Sequence, residues 1–206
     1  MDSPPDKTYP ITNCAAIILA AGKSSRLGKP KQLLNYRGKT LLQHAIDTAI
    51  EASLQDIIVV LGFGFELIKD EINIIAGTHV VRNEDWQSGM ASSIICGINT
   101  LNSINSLADA AIFMVCDQPF ISTSLLNELI VARKTSGKLI AASKYGDTVG
   151  IPALFHKSLF HHLLELKGDV GAKKVIQQNP DAIITVPFSN GGIDIDTLDD
   201  YLALAK

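Results

Sequence analysis

Short apolar runs alternate with amphipathic segments along the chain, and this alternation restricts the fold more than any other feature of the sequence. Three runs are almost continuously apolar, as in strands that are covered on both faces: CAAIIL at 14–19, DIIVVLG at 56–62 and AAIFMV at 110–115. Other segments carry apolar residues at helical spacing: 40–52, 90–101 and 122–134. This order predicts an α/β fold with a doubly wound, mostly parallel sheet and helices on both of its faces.

Weaker patterns complete this arrangement. Further strands are predicted at 79–82, 138–143, near Thr148 and at 182–187, and further helices from Phe65, over 169–177 and over 197–206. Thr40 stands at the start of one predicted helix, where its side chain suits an N-cap, and Ser122 is the first residue of another predicted helix. Because no helical pattern separates the strands between 138 and 155, we expect antiparallel pairing in that stretch.

The composition is that of an ordinary globular protein. A length of 206 residues, with 47% hydrophobic and 19% charged residues, predicts one domain over residues 14–206. MDSPPDKTYP lacks the apolar centre of a signal peptide. Residues 1–13 are instead expected to form a disordered N-terminal lead-in. A net charge of −3 gives no basic field for nucleic acid, and no segment is long and apolar enough to span a membrane. The three cysteines lack metal-type spacing and suit a reducing cytoplasm.

The segment LAAGKSSRLGKPK at 19–31 directly follows the first predicted strand and contains the residue types that a polyphosphate site needs. Gly22 lets the backbone approach phosphate oxygens, Arg26 can grip a phosphate with two hydrogen bonds, and Lys31 supplies a mobile charge. The segment is not a Walker loop, since Leu27 stands where the second glycine would be, and the dinucleotide fingerprint is absent as well. A solvated basic turn is the alternative, but the position at a strand end favours a nucleotide-triphosphate loop.

LAAGKSSRLGKPK resembles the signature LAAGxSxRxGxxK of the MobA-like nucleotidyltransferases, and it is most similar to the molybdopterin cytidylyltransferase branch of that family. Further stretches resemble family motifs and occur in the family's order: DWQSGMASSI at 85–94, VCDQPF at 115–120, GIPALF at 150–155, GDVGAK at 168–173 and DIDTLDD at 194–200. The resemblance extends from about Ala15 to Tyr201. It implies a Rossmann-like sheet of the nucleotide-diphospho-sugar transferase type.

The resemblance also assigns each motif to a part of a site. It implies that the nucleotide is bound by Leu19, Ala20, Ala21, Gly22, Ser24, Ser25, Arg26, Lys31, Gly89, Ser92 and Ser93. It places the second substrate near Gly150, Pro152, Asp169, Gly171 and Lys173. Lys173 stands where the family has arginine, so the charge is kept but the bidentate fork is lost. Arg82 and Asn83 could reach the nucleotide pocket as well.

Three aspartates are candidates for a magnesium site: Asp117, Asp194 and Asp196. Asp117 follows the strand at 110–115, at the same sheet edge as the Gly22 loop, and the resemblance makes its DxP motif a metal ligand. Taken alone, an aspartate after a strand is more often a helix-capping or turn residue. Asp194 and Asp196 alternate on an extended segment, which the resemblance assigns to metal and product contacts. Asp196 could instead cap the helix that starts at Thr197, and the sequence does not choose between the two aspartates.

The resemblance implies a magnesium-dependent nucleotidyltransferase in which Arg26, Lys31 and Asp117 are catalytic. We expect it to transfer CMP from CTP to molybdopterin or the molybdenum cofactor, releasing pyrophosphate, with a molybdoenzyme or its chaperone as a further partner and with no nucleic acid or membrane partner. Two alternative hypotheses remain. The protein catalyses the same chemistry on another substrate pair, such as GTP with a molybdenum cofactor or a sugar phosphate, or it is a nucleotide-binding regulator without turnover. The intact set of Arg26, Lys31, Asp117 and Asp194 argues against the regulator.

Overall fold

The computed structural model describes residues 13–104 and 106–204. Residues 1–12 of the expected lead-in and the last two residues of the predicted C-terminal helix lie outside the described residues. Asn13, the last residue of that lead-in, is described, and its carbonyl oxygen accepts a hydrogen bond of 2.9 Å from the amide of Asp109.

Most of the strands join into a single central sheet. In chain order the strands are Cys14–Ala20 (β1), Asn35–Tyr36 (β2), Lys39–Thr40 (β3), Ile57–Leu61 (β4), Thr78–Arg82 (β5), Ala110–Val115 (β6), Ile140–Tyr145 (β7), Thr148–His156 (β8) and Ile183–Pro187 (β9). Strands β2 and β3 form a separate small hairpin that the sequence patterns did not predict, and the other seven form one sheet in the order β5-β4-β1-β6-β8-β7-β9.

Helices cover both faces of this sheet. They are Leu41–Glu51 (α1), Phe65–Asp70 (α2), Met90–Ser103 (α3), Thr123–Ser136 (α4), Phe160–Leu164 (α5), Lys173–Gln178 (α6) and Leu198–Leu204 (α7). The expected cap at Thr40 is confirmed, since its side chain accepts a hydrogen bond from the amide of Gln43. The side chain of Ser122 caps α4 in the same way by accepting a hydrogen bond from the amide of Leu125. None of the helices in the described ranges is long and apolar enough to cross a membrane.

The alternation of side chains along β1 builds a core on each face of the sheet. Ala16 and Ile18 pack into the cluster that includes α1 and α4, whereas Ile17 and Leu19 pack into the cluster that includes α3, α5 and α6. Every residue of β1 is buried, as the continuous apolar run predicted. The predicted α/β class is therefore confirmed.

The expected mixture of strand directions is also confirmed. Strand β8 pairs antiparallel with both β6 and β7, while the β1–β4, β1–β6, β4–β5 and β7–β9 pairs are parallel. Because β1 lies between β4 and β6, the chain moves outward from β1 on one side and later returns to the other. Such a switch point opens a crevice at the carboxyl ends of the strands, which is where open α/β sheets bind ligands.

One predicted helix begins later than its sequence pattern suggested. The expected helix over 169–177 starts only at Lys173, and residues 168–172 form a loop. That loop is held against the start of α3, because the amide of Ala91 donates a hydrogen bond of 3.0 Å to the carbonyl of Gly168. A tertiary contact therefore replaces the first helical turn.

Candidate active site

A cleft of about 350 Å³ lies at the switch point, where β1 and β6 end. Its wall includes Leu19, Ala20, Ala21, Gly22, Lys23, Lys31, Gln32, Trp86, Gln87, Gly89, Met90, Ser93, Val115, Cys116, Asp117 and Asp169. A larger hollow of about 690 Å³ lies beside Asn13 and Asp109, at the opposite edge, where β6 begins. We regard the cleft at the strand ends as the candidate site, because the predicted phosphate loop and Asp117 meet there.

The loop after β1 folds back so that Lys31 returns to the cleft. The carbonyl of Ser24 accepts a hydrogen bond of 3.0 Å from the amide of Leu27, and the Ser24 hydroxyl accepts one of 3.0 Å from the amide of Lys31. Ser24 thus closes the loop on itself. Ser25 and Arg26 lie on the exposed side of the loop and do not line the cleft.

The loop is also held from beneath by Gln32, which the sequence did not single out. Its amide Nε2 donates hydrogen bonds of 2.7 Å to the carbonyl of Ala20 and 3.0 Å to that of Gly22. Nothing in the local sequence marks Gln32 as buried, since it stands between a lysine and two leucines.

Lys31 forms ion pairs with two aspartates that lie far apart in the sequence. Its Nζ contacts both Asp117 and Asp196, the second at 3.0 Å from Oδ1, and the Arg26 guanidinium lies 2.9 Å from the other oxygen of Asp196. Burial alone would lower the pKa of Lys31, but the charge of Asp117 and the hydrogen bonds to both carboxylates raise it, so the ammonium form persists. The hydrogen bond from Lys31 lowers the pKa of Asp196.

Asp194 lies in a different electrostatic environment from Asp196. No lysine or arginine in the described ranges lies within ion-pair distance of it. Although Asp194 is an exposed residue, partial desolvation of its carboxylate and then the negative charge of Asp117 raise its pKa. The two aspartates that the sequence left equal are therefore distinguished by their surroundings.

The suggested role of Asp196 as a helix cap is wrong. The Thr197 hydroxyl accepts a hydrogen bond of 3.2 Å from the amide of Asp200, and the Asp200 carboxylate accepts one of 2.8 Å from the amide of Thr197. This reciprocal pair caps α7. The carboxylate of Asp196 is left to face Arg26 and Lys31.

The start of α3 forms another wall of the cleft. Gly89 and Ser93 line it, whereas Ser92 hydrogen-bonds to the carbonyl of Gly89 at 2.8 Å. The side-chain amide of Asn83 donates to both serine hydroxyls, at 2.8 and 3.0 Å, so Asn83 supports this wall from behind. Arg82 instead pairs with the side chains of Glu66 and Glu84 and does not line the cleft.

Trp86 and Cys116 complete the lining. The Trp86 ring packs edge-on against Phe63 at a centroid distance of 5.7 Å, so its packing role is clear. Burial raises the pKa of the Cys116 thiol to about 12. A thiol that keeps its proton is a poor nucleophile.

The residues expected around the second substrate are divided by the fold. Asp169 lines the same cleft as the nucleotide loop, and Gly171 packs against Met90 at the start of α3. Pro152 lies within β8, where its carbonyl accepts a hydrogen bond of 2.7 Å from Ser143. Neither Gly150, Pro152 nor Lys173 lines the cleft; Gly150 packs against Tyr145, and Lys173 is exposed at the start of α6.

The carboxylates suit a divalent cation that also binds phosphate. Mg²⁺ is commonly held by one or two carboxylates together with substrate phosphates and water. Asp117 and Asp196 meet this requirement, because a single ammonium group reaches both of them. The part of the chain that the structure describes holds no group of three or more His, Cys, Asp or Glu side chains arranged for a metal, so such a cation would need phosphate or water ligands as well.

Two relatives are similar to this chain over most of its length, and a third is similar over somewhat more than half of it. Nicotine blue oxidoreductase from Paenarthrobacter nicotinovorans is 29% identical over 91% of this chain and 94% of its own length. Purine catabolism protein PucB from Bacillus subtilis is 27% identical over 90% of this chain and 92% of its own. A protein named probable molybdenum cofactor guanylyltransferase from Bacillus mycoides is 28% identical over 58% of this chain and 56% of its own.

Solved structures have the same fold. The Rv0371c protein of Mycobacterium tuberculosis H37Rv superposes with a TM-score of 0.79 at 29% identity, covering 94% of this chain and 98% of that one. A structure of that protein in complex with manganese gives a TM-score of 0.77 at 30% identity, with the same coverage. A nucleotidyl transferase from Methanothermobacter thermautotroptrophicus, 19% identical, superposes with a TM-score of 0.77 over 94% of this chain and 96% of that one, which supports the fold.

The family match agrees with the position of the cleft and with the motifs that line it. The family described as MobA-like NTP transferase domain matches residues 16–183, which include most of β1, the predicted phosphate loop and Asp117. This chain therefore belongs to the MobA-like NTP transferases, as its motifs predicted.

Proposed function

We propose that this protein transfers CMP from CTP to molybdopterin or the molybdenum cofactor and releases pyrophosphate. One observation carries the proposal: Lys31, Asp117 and Asp196 come together at the sheet edge where the phosphate loop ends. A site that joins two phosphorylated molecules needs cations to offset their negative charge and carboxylates to hold a metal, and this cluster supplies both.

In the proposed reaction, a phosphate oxygen of the second substrate attacks the α-phosphorus of the nucleotide. A new P–O bond forms there, the bond to the β-phosphate breaks, and pyrophosphate leaves. Lys31 and Arg26 would turn from the carboxylates to the triphosphate, where they hold it for in-line attack. Asp117, with Asp194 or Asp196, would hold Mg²⁺, which neutralises charge on the reacting phosphates.

The choice of CTP rests on the similarity of LAAGKSSRLG and of the DQP at 117–119 to the cytidylyl branch. GTP is the main competing nucleotide, since one relative is named a molybdenum cofactor guanylyltransferase. Two further candidates are a sugar phosphate as second substrate and a regulator without turnover. The proposed setting is the cytoplasm, where buried thiols such as those of Cys14 and Cys116 stay reduced, and a molybdoenzyme or its chaperone would receive the product.

The test is release of pyrophosphate from CTP, GTP and ATP in direct competition, with and without molybdopterin. We expect CTP to give the highest kcat/KM and release to depend on molybdopterin, since a pocket fitted to a pyrimidine disfavours the larger purine. Asp117→Asn is the inactive control, because it keeps the side-chain shape but loses the charge that attracts Mg²⁺. It should have almost no turnover while its circular dichroism stays that of the wild type, and high Mg²⁺ should restore part of the activity.

Different outcomes would correct the proposal at different levels. A preference for GTP would keep the reaction but change the nucleotide. Full activity of Asp117→Asn at ordinary Mg²⁺ would remove that residue from the metal site. No pyrophosphate from any nucleotide would overturn the transferase activity and favour another role for the cleft, such as regulation or the redox activity that the name of one relative indicates.

A further inference from the structure

Two buried glutamines lie beneath the candidate site. One lies under the phosphate loop, and the other lies under the segment that carries Asp194 and Asp196. Gln32 is 1% exposed and Gln118 is 6% exposed. In each, the amide nitrogen donates to backbone carbonyls, while the buried Oε1 has no hydrogen-bond partner of ordinary geometry among the described residues. A buried polar atom without a partner costs free energy, so an apolar side chain of the same shape would serve simple packing better.

Gln32 connects the phosphate loop to the turn that carries Lys31. Its two hydrogen bonds go to the carbonyls of Ala20 and Gly22, at the point where β1 ends and the loop begins. Lys31 is its neighbour in the chain and directs its ammonium into the cleft. The side chain of Gln32 therefore fixes the position of the loop backbone relative to the Lys31 ammonium. In the proposed function, the loop backbone and this ammonium bind the triphosphate together.

Gln118 makes the corresponding connection for the carboxylates. It follows Asp117, and its Nε2 donates a hydrogen bond of 2.9 Å to the carbonyl of Gly191. The amide of Ile195, which is fully buried, donates another bond of 2.9 Å to the carbonyl of Asp117. Residues 191–195 are thus attached to the end of β6 at two points, one on each side of Asp194.

The first of these points needs a glycine. A Cβ atom built at Gly191 would lie 2.4 Å from the Tyr145 ring and 2.6 Å from the Phe188 ring, so only a residue without a side chain brings the segment this close to Gln118. Loss of the Gln118 bond would free this end of the segment that carries Asp194 and Asp196. The position of Gln32 predicts no such effect, because its side-chain hydrogen bonds go to the end of β1 and the start of the phosphate loop.

We propose that Gln32 and Gln118 are positioning residues with separate tasks: Gln32 holds the phosphate loop for the triphosphate, and Gln118 holds the 191–196 segment for the metal. This inference rests on the proposed function. It predicts that the two substitutions damage different binding steps, which purely structural roles would not do.

The experiment compares Gln32→Met and Gln118→Met in the full chain, because methionine fills the same space without a donor. Calorimetry with CTP in EDTA measures metal-free nucleotide affinity, with GTP used where CTP does not bind. Electron paramagnetic resonance with Mn²⁺ and a saturating non-hydrolysable nucleotide measures metal affinity. Gln43→Met is the matched control, since Gln43 is also buried but bonds to Asp47 and Asn73, away from the cleft.

We expect Gln32→Met to weaken metal-free nucleotide binding about tenfold and to leave Mn²⁺ affinity within about threefold of the wild type. Gln118→Met should do the reverse and weaken Mn²⁺ binding by about 10–100-fold, the usual effect of removing a partner behind a metal ligand. Gln43→Met should leave both affinities unchanged.

Equal losses of both affinities in the two variants, or unchanged affinities with a lower melting temperature alone, would overturn the inference. Gln32→Leu and Gln118→Leu repeat the test where a methionine variant does not fold, and failure of both substitutions to fold would assign a structural role instead. Absence of pyrophosphate release by the wild type would overturn the transferase activity alone, because both binding measurements are independent of turnover.

Discussion

Arg26 and Lys31 both contact Asp196, but they do so in very different surroundings. The side chains of Lys31 and Asp117 are 17% and 15% exposed, whereas that of Arg26 is 67% exposed. Exposed ion pairs contribute about 0–1 kcal/mol to stability, while removing one partner of a buried pair leaves an uncompensated charge and costs more. The two cations should therefore resemble each other in nucleotide binding and differ in their effect on folding.

We expect Arg26→Ala and Lys31→Ala each to lower kcat/KM by at least about tenfold, because a charge-assisted hydrogen bond contributes roughly 1.5–3 kcal/mol. Lys31→Ala should also lower the melting temperature clearly, since the half-buried Asp117 then loses its ion-pair partner, while Asp196 keeps only the exposed Arg26. Steady-state kinetics and calorimetry measure both effects. Lys39→Ala is the control, because it breaks an exposed ion pair with Asp47 outside the cleft. Wild-type kinetics in both loop variants would remove the loop from the site.

The raised pKa of Asp194 predicts that the stability of the metal-free protein depends on pH. A folded-state pKa above the ordinary value of 3.8 means that the folded protein binds the proton more tightly than the unfolded chain. The associated stability is complete below about pH 3.8 and is lost as pH rises through the folded-state pKa. At neutral pH the ionised Asp194 should therefore destabilise the metal-free protein.

We expect Asp194→Asn to melt at a higher temperature than the wild type at pH 7 in EDTA, with the difference closing as the pH falls toward 4. The activity of the same variant distinguishes the two candidate metal ligands, because its loss would assign the metal to Asp194 and its retention would assign the metal to Asp196. Calorimetry across this pH range measures the difference. Asp199→Asn, at an exposed position of α7, removes one charge elsewhere and controls for the change of net charge. A lower melting temperature for Asp194→Asn at pH 7 would contradict the expectation.

At the scale of elements, the contact between α3 and the 168–171 loop forms one wall of the cleft. Gly89 has φ 100° and ψ −178°, a backbone region that is almost restricted to glycine. A Cβ atom there would lie 2.4 Å from the carbonyl carbon of Gly168 and 2.5 Å from Oδ1 of Asp169. The absence of a side chain at residue 89 is what allows the loop to reach the helix.

We expect Gly89→Ala to lower the free energy of unfolding by more than about 3 kcal/mol, since backbone strain of roughly 1–3 kcal/mol is added to the steric conflict. It should also weaken CTP binding, because Asp169 is displaced from the cleft wall. Gly137→Ala is the matched control. Gly137 also has a positive φ, of 69°, but no atom lies within 4 Å of its Cβ position, so only strain of about 1–2 kcal/mol should appear. Urea unfolding compares the two, and equal losses would show that the loop contact is unimportant.

At the scale of the whole molecule, the sheet brings together residues that are far apart in the chain. Arg26 and Asp196 are separated by 170 residues, and Lys31 and Asp117 by 86. A nucleotide bound across these contacts would hold the first strand, the middle strand and the C-terminal segment in place at once. Binding should therefore stabilise the whole fold rather than one loop.

We expect CTP at about 100 times its dissociation constant to add roughly 2.7 kcal/mol of stability and so to raise the melting temperature by about 5–10 °C for a chain of this size. GTP at the same concentration should have a smaller effect. Differential scanning fluorimetry measures both shifts, and Arg26→Ala should reduce that of CTP. Equal shifts with CTP and GTP would show that the cleft does not select the base.

The sequence by itself determined the α/β class, the main strands and the position of the loop after β1 at the cleft. These features depend on local patterns: the burial of β1 follows from its continuous apolar run, and parallel strands put Gly22 and Asp117 at one edge whatever the loops do. The family could be predicted for the same reason, since the motifs at 19–31 and 115–120 are short and contiguous.

Only the tertiary structure decided how the polar residues share their tasks. It distinguished Asp196, which pairs with Arg26 and Lys31, from Asp194, and it gave the cap of α7 to Thr197. It also showed that Gln118 is buried beneath the carboxylates and that α6 begins at Lys173 rather than at residue 169, where the sequence pattern predicted its start. Each of these outcomes depends on which atoms meet across long stretches of chain. Strand register and loop path set such distances, and no local pattern of residues encodes them.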